Sequence, residues 1–256
     1  MNAIRTNQER RAFLEAIALA GLAAAVPGAY AQPPRQVTIN DVTRLNPVPV
    51  AQEVRPTTVD EVQKAVKMWP GGLSIGGGRF SMGGQIAAPG SLHLDMRGLS
   101  RVVAYSPADR IIRVQAGITW REIQDHIDPH EQSVKIMQSY SNFTVGGSVS
   151  VNCHGRYIGH GALVNSVRAL RLVLPDGEVV EASRERNTEL FRAAAGGYGG
   201  VGIISEVELD LEVNSRIERI VKPVALEDYP GWFRQDRKST RLNSSHSRRS
   251  RMPSSA

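Results

Sequence analysis

The chain of 256 residues has a single cysteine, Cys153, so no disulfide can form within it. Cysteine and histidine do not cluster: His126, His130 and His160 follow no metal-ligand spacing and are expected on the surface, so no metal site is expected. Paired carboxylates and a Gly-x-Ser-x-Gly elbow are also missing, which removes the usual signs of hydrolase chemistry. Aromatic residues make up 5%, and Trp69, Trp120 and Trp232 are too scattered to form a stacking platform, so core packing is their expected role. The formal net charge of +6 belongs to the two ends of the chain. Nine of the 31 basic and three of the 25 acidic residues lie before Gln32 or after Gln235, so the body carries 22 of each. A neutral body has no broad basic face to track a phosphate backbone, and nucleic acid is not an expected partner.

The ends read differently from the body. Arg5, then Arg10-Arg11-Ala12-Phe13-Leu14, precede a short apolar run from Ala16 to Val26 and the small-residue pattern Ala29-Tyr30-Ala31. That order of parts is a signal peptide over residues 1–31, with cleavage expected after Ala31. Eleven residues fall short of the roughly 20 needed to cross a bilayer, so no stable membrane insertion is expected. The Arg-Arg-x-Phe-Leu pattern resembles a twin-arginine signal for export of folded proteins to the bacterial periplasm, with general export as the alternative. At the other end, residues 236–256 read DRKSTRLNSSH and close on SRMPSSA, without periodicity. Both strings resemble the in-frame translation of a sequencing adapter, so this stretch is expected to be a non-native tail, a natural basic tail being the alternative. On that reading the body, 32–235, is a fragment of a longer protein.

Within the body, helices and strands alternate. Thr57 and Thr58 precede Val59, Val62, Ala65 and Val66 at helical spacing, which predicts a helix over 59–68. Thr119 caps a second over about 120–127, where Trp120, Ile123 and Ile127 share a face. Strands are expected at 73–75, 92–95, 110–115 and 201–213, and a helix at 187–195. Val167 to Leu174 and Val179 to Ala182 flank Pro175-Asp176-Gly177-Glu178 and predict a hairpin. The pattern is that of an α+β fold rather than a repeating βαβ sheet.

The chemistry centres on Ile75-Gly76-Gly77-Gly78-Arg79-Phe80-Ser81-Met82-Gly83-Gly84-Gln85, a strand running into a loop with five glycines. Glycine lets backbone N–H groups approach a ligand closely, and consecutive inward N–H groups form a nest for an anion such as a diphosphate. A flexible surface loop would carry the same composition. No Gly-Lys-Ser or Gly-Lys-Thr follows it, and no Gly-x-Gly-x-x-Gly opens a long helix. Four further segments follow in order: Val114-Gln115-Ala116-Gly117, Phe143-Thr144-Val145-Gly146-Gly147-Ser148, Val151-Asn152-Cys153-His154-Gly155-Arg156, and Gly197-Tyr198-Gly199-Gly200-Val201-Gly202-Ile203-Ile204.

Together with the opening Arg55-Pro56-Thr57-Thr58-Val59-Asp60-Glu61-Val62, this series resembles the FAD-binding, PCMH-type domain of the vanillyl-alcohol oxidase and p-cresol methylhydroxylase family, near the sugar-lactone and alditol oxidases. The resemblance covers about 45–211 and implies a two-subdomain FAD-binding fold whose substrate (cap) domain is missing from this chain. It implies that the backbone of Gly76, Gly77, Gly78, Arg79, Phe80 and Ser81 holds the diphosphate, with the Ser81 hydroxyl as a further donor and Gly83 and Gln85 closing the same loop. A second loop, Thr144, Val145, Gly146, Gly147 and Ser148, would clasp the other side. Asn152, Cys153, His154 and Gly155 would lie near the flavin ring, and the backbone after Gly202, at Ile203 or Ile204, would read the adenine edge.

The resemblance further implies an FAD-dependent oxidoreductase that takes hydride from an alcohol or sugar-like substrate, with oxygen or a redox protein as electron acceptor. A flavin-binding electron-transfer module without its own turnover is the alternative. No catalytic residue is assigned; His154 is the one ionisable candidate, and packing against the flavin edge is its alternative role. Many relatives carry histidine where this chain has Phe80, and that imidazole forms a covalent link to the flavin. Phenylalanine cannot, so FAD is expected to be non-covalent.

Overall fold

The structure, a computed structural model, describes residues 37–156, 159–215 and 223–235. The expected signal peptide and the expected tail lie outside the described residues. Among the described residues no helix is long and apolar enough to cross a membrane.

The described chain builds an α+β fold with two hydrophobic cores. In the smaller subdomain a parallel sheet holds β3 (Gln52–Val54), β4 (Leu73–Gly76) and β5 (Leu92–Asp95) in the order β3-β5-β4. Helix α1 (Val59–Met68) begins where Thr58 Oγ1 accepts from the Glu61 amide at 3.2 Å, while the Glu61 carboxylate reaches back to the Thr57 amide at 2.7 Å. Those bonds satisfy amides that a helix start leaves without partners. Val59, Val62 and Val66 fall on one face and are buried against Leu92 and Leu94. Pro70, which cannot continue a helix, follows its end. A short hairpin of β1 (Val37–Ile39) and β2 (Val48–Val50) precedes this unit.

The larger subdomain is an antiparallel sheet ordered β10-β9-β11-β7-β6, with β8 (Gln132–Val134) pairing separately with β11. Its centre is β11 (Ile203–Val213), between β9 (Val167–Val173) and β7 (Ile111–Gln115); β6 (Val102–Ser106) lies outside β7. β9 and β10 (Val179–Ser183) form the expected hairpin, with Val173 opposite Val179 and Gly177 at φ 80° in the turn. Ile112, Val114, Leu170, Leu172, Val207 and Leu209 point into the core, while Arg113, Arg171, Glu206 and Glu208 stand on the opposite face. That alternation is what an antiparallel sheet with one packed face produces. Helix α2 (Trp120–Ile127) carries a full capping box between Thr119 and Glu122 and buries Trp120, Ile123 and Ile127 against this sheet. Helix α4 (Thr188–Ala194) buries Phe191 and Ala194.

One expectation is corrected. The Gly146-Gly147 segment is not a loop: Val145–Ser150 is a short helix, α3, held by Val145 and Val149 in the core. Its amides at Val145 and Gly146 donate to the carbonyls of Ile118 (2.9 Å) and Ala116 (2.7 Å), and a Cβ on Gly146 would stand 2.6 Å from the Ala116 Cβ. Glycine is there for close approach of helix to strand. The expected strand at 92–95 is present as β5, and all four of its residues are buried, as suits the central strand of a parallel sheet.

Candidate cofactor site

A single long cleft collects most of the motif residues. One wall is the loop after β4: Gly77, Gly78, Arg79, Phe80, Ser81 and Gln85. Facing it stand Thr144, Gly146, Gly147 and Ser148 of the α3 turn, with Ile75, Met96 and Ala116 also lining the cleft. Tyr198, Gly199, Gly202 and Ile204 complete it.

The two walls are joined by a hydrogen bond. The Gly78 amide donates to Thr144 Oγ1 at 3.2 Å, and a Cβ on Gly77 would overlap that same oxygen. A Cβ on Gly78 would stand 2.9 Å from the Phe80 ring. Arg79 adopts φ 61°, the left-handed region, which turns the chain at the middle of the loop. Its guanidinium pairs with Glu53 and lies 3.7 Å from Asp95, so its charge is neutralised within the protein. Burial works against ionisation of Asp95, but the hydrogen bonds and charge of Arg97 outweigh it and hold the carboxyl below the usual carboxylate range.

Gly76 lies beneath the cleft, where a Cβ would stand 2.6 Å from Nε2 of His93. His93 is fully buried; its Nδ1 lies 2.9 Å from Ser74 Oγ, which lies 2.8 Å from Ser91 Oγ. Burial, helped by the nearby Arg79 charge, pushes the His93 pKa down to about 4, so the imidazole is neutral at physiological pH.

The structure does not bring every expected site residue to this cleft. Gly76, Gly83, Val145 and Ile203 are set back from it, with Val145 in the large core and Ile203 in the small one. The Ser148 hydroxyl is engaged within the protein, 2.9 Å from both Gln138 Oε1 and the Thr144 carbonyl and 3.1 Å from Trp120 Nε1. Asn152 lines a separate hollow beside Phe191, and Cys153, His154 and Gly155 are outside the cleft lining. His154 is exposed, with Nδ1 3.0 Å from the Gly155 carbonyl. Burial pushes the Cys153 thiol up to about 11, against the weaker effect of Ser148. Residues not singled out from sequence, Ile86, Met96, Gln138 and Ser150, also line the cleft, as does Val151 from the head of the Val151 to Arg156 motif. Met96 and Gln138 carry no local motif that could have marked them.

The glycine-walled shape suits a long phosphate-bearing ligand: side chains are absent where the backbone forms the wall, and among the described residues the Phe80 and Ser81 amides have no protein acceptor. Comparison with known families matches residues 50–183 to the FAD binding domain. The chain belongs to the vanillyl-alcohol oxidase and p-cresol methylhydroxylase family of FAD-binding flavoproteins. The matched stretch contains both facing walls of the cleft. This flavoprotein is 27% identical over 177 residues to L-gulonolactone oxidase of Bos taurus, covering 68% of this chain and 40% of that protein. It is 30% identical to L-gulonolactone oxidase of Mus musculus over 60% of this chain and 36% of that one. Cytokinin dehydrogenase 4 of Oryza sativa subsp. japonica is 30% identical over 64% of this chain and 32% of its own length. The chain thus spans about a third of the length of these relatives.

The residues fit FAD. The Phe80 and Ser81 amides on one side, with the Thr144 hydroxyl and Gly147 on the other, would hold the diphosphate by backbone and hydroxyl donors, while Gly77 and Gly78 leave it room. When bound, FAD supplies the hydride acceptor, and the chain supplies its placement and electrostatics.

Proposed function

We propose that this flavoprotein acts as an oxidoreductase that passes hydride from an alcohol or sugar-like hydroxyl to FAD, in a protein exported from the cell. The observation that carries the reading is the glycine-walled cleft joined by the Gly78 to Thr144 hydrogen bond. The similarity to lactone oxidases and a cytokinin dehydrogenase supports redox chemistry on a small molecule. The Arg10-Arg11 leader supports export to the periplasm.

FAD is held here without a covalent bond. Phe80 offers no nucleophile and packs edge-to-face against Tyr140 and Phe143, with centroids 5.3 and 4.6 Å away. Cys153 is a protonated thiol at neutral pH and lies outside the cleft. No base is assigned to His154, which is exposed and outside the same cleft.

Titration of the protein with FAD, followed by flavin fluorescence and the visible band, tests the binding. Anaerobic mixing of the FAD-loaded full-length protein, substrate domain included, with sugar lactones, alditols and simple alcohols then tests the chemistry: bleaching of the flavin band by one donor class identifies the substrate. A band that persists with every donor but bleaches with a reduced redox protein would replace this reading with an electron-transfer module. Acid precipitation should leave the flavin in the supernatant, and a yellow pellet would refute non-covalent binding. A fusion of residues 1–31 to a reporter that is active only when exported tests the leader.

A further inference from the structure

The second half of the glycine loop already holds an anion, and the anion is a side chain of the protein. Asp41 is 3% exposed. Its Oδ2 accepts from the consecutive amides of Gly83 (3.1 Å) and Gly84 (3.4 Å) and from Asn46 Nδ2 (3.5 Å). Its Oδ1 accepts from the amides of Thr43 (2.8 Å) and Arg44 (3.1 Å) and from the Thr43 hydroxyl. The consecutive Gly83 and Gly84 amides thus converge on one oxygen, as in a backbone anion nest. The neighbouring Val42 amide donates to the Arg79 carbonyl at 2.8 Å. Asp41 and Val42 therefore fasten the loop at both ends of the stretch 79–84, whose middle presents Phe80 and Ser81 to the cleft.

We infer that Asp41 is a positioning residue for FAD: its carboxylate fills the Gly83-Gly84 nest and sets the loop so that the Phe80 and Ser81 amides face the diphosphate. Asp41 lies before the matched stretch 50–183 and touches the loop rather than the cleft. The nest at Gly83-Gly84 is closed to the cofactor because a resident carboxylate occupies it, which also explains why Gly83 is set back from the cleft lining. The inference rests on the FAD reading of the cleft.

The test uses the full chain and two variants, D41N and D41A, with FAD affinity read by fluorescence and amide exchange read at Gly83 and Gly84. Removal of charge-assisted bonds to two loop amides is expected to weaken FAD binding by about tenfold or more in each variant. Amide exchange at Gly83 and Gly84 is expected to accelerate while exchange in β9 and β11 stays unchanged. Added formate, which can enter the space vacated in D41A, is expected to restore most of the affinity, and to leave the wild type unaltered; a general loss of structure would not respond to formate. If D41A fails to fold, D41N, which keeps the volume, decides by the same two readings. Wild-type FAD affinity in a folded D41N, or in D41A with both amides released, would overturn the inference. A wild type that binds no FAD would instead overturn the reading of the cleft, and the exchange data would still show whether Asp41 pins the loop.

Discussion

The amide of Gly78 donates to the hydroxyl of Thr144 at 3.2 Å, across 66 residues of sequence, and this bond closes one point of the cleft between two glycine-bearing segments. Thr144 Oγ1 also occupies the space that a side chain at Gly77 would need. One oxygen thus sets both the spacing of the walls and the requirement for glycine.

Gly77→Ala should therefore weaken FAD binding by roughly ten- to a hundredfold, because the added methyl forces Thr144 or the loop to move and close-packed sites accommodate this poorly. Thr144→Ala removes the obstructing oxygen, so the double variant should bind FAD better than the Gly77→Ala single variant. Fluorescence titration of all four proteins gives the coupling, and strictly additive effects would contradict the geometry.

Stability should depend on pH through His93. Its folded pKa, about 4, lies below the ordinary value of 6.5, so the unfolded chain binds the extra proton first as pH falls. Stability is then full above about pH 6.5 and declines toward pH 4, by roughly 2 to 3 kcal/mol for this group. Urea unfolding of the wild type and of His93→Gln at pH 7 and pH 4.5 checks it: the variant should lose this part of the pH dependence.

Gly117 and Gly72 should differ sharply in their tolerance of alanine. A Cβ at Gly117 would overlap the Met96 carbonyl and stand 2.7 Å from that of Leu99, where backbone from the two cores meets, whereas one at Gly72 meets nothing within 4 Å. Gly117→Ala should cost about 3 kcal/mol or more, and Gly72→Ala should stay within about 0.5 kcal/mol of the wild type in urea unfolding. Equal effects would mean that the Met96 turn yields easily.

Trp120→Phe should remove the indole N–H that reaches Gln138 Oε1 at 2.8 Å and Ser148 Oγ at 3.1 Å while keeping most of the buried ring. Leaving those buried acceptors short of a donor costs about 1 to 3 kcal/mol. Since Gln138 and Ser148 line the cleft, FAD affinity should fall along with Tm.

Cys153 should react slowly with iodoacetamide at pH 7.5, because burial holds the thiol protonated up to about pH 11. Rapid alkylation of the folded protein, read by mass spectrometry, would contradict its placement.

Local signals sufficed where the physics is local. Thr58 and Thr119 each cap a helix by bonds within three residues, and both helices run as their apolar spacing indicates. The Pro175 to Glu178 turn joins its hairpin as expected. The three-residue strands β3 and β8 escaped notice because each takes its stability from a partner distant in sequence, and β1 and β2, which pair with each other, because three residues are too few to show an alternation. The helical state of Val145–Ser150 did so because two glycines argue against a helix until Ala116 is seen lying against them.

The ordered series of motifs, through its resemblance to a known family, determined the FAD-binding assignment, and the apolar spacing of helices and strands determined the α+β class, because both signals lie in short stretches of chain. Which motif residues reach the cleft was a matter for the tertiary structure alone. Gly83 turns to Asp41, 42 residues earlier; Ser148 is engaged by Gln138 and Trp120; Asn152 faces a different hollow. A residue type records what a backbone position can tolerate. The direction in which its donors point is set by partners far along the chain, and only the folded packing brings those partners into place.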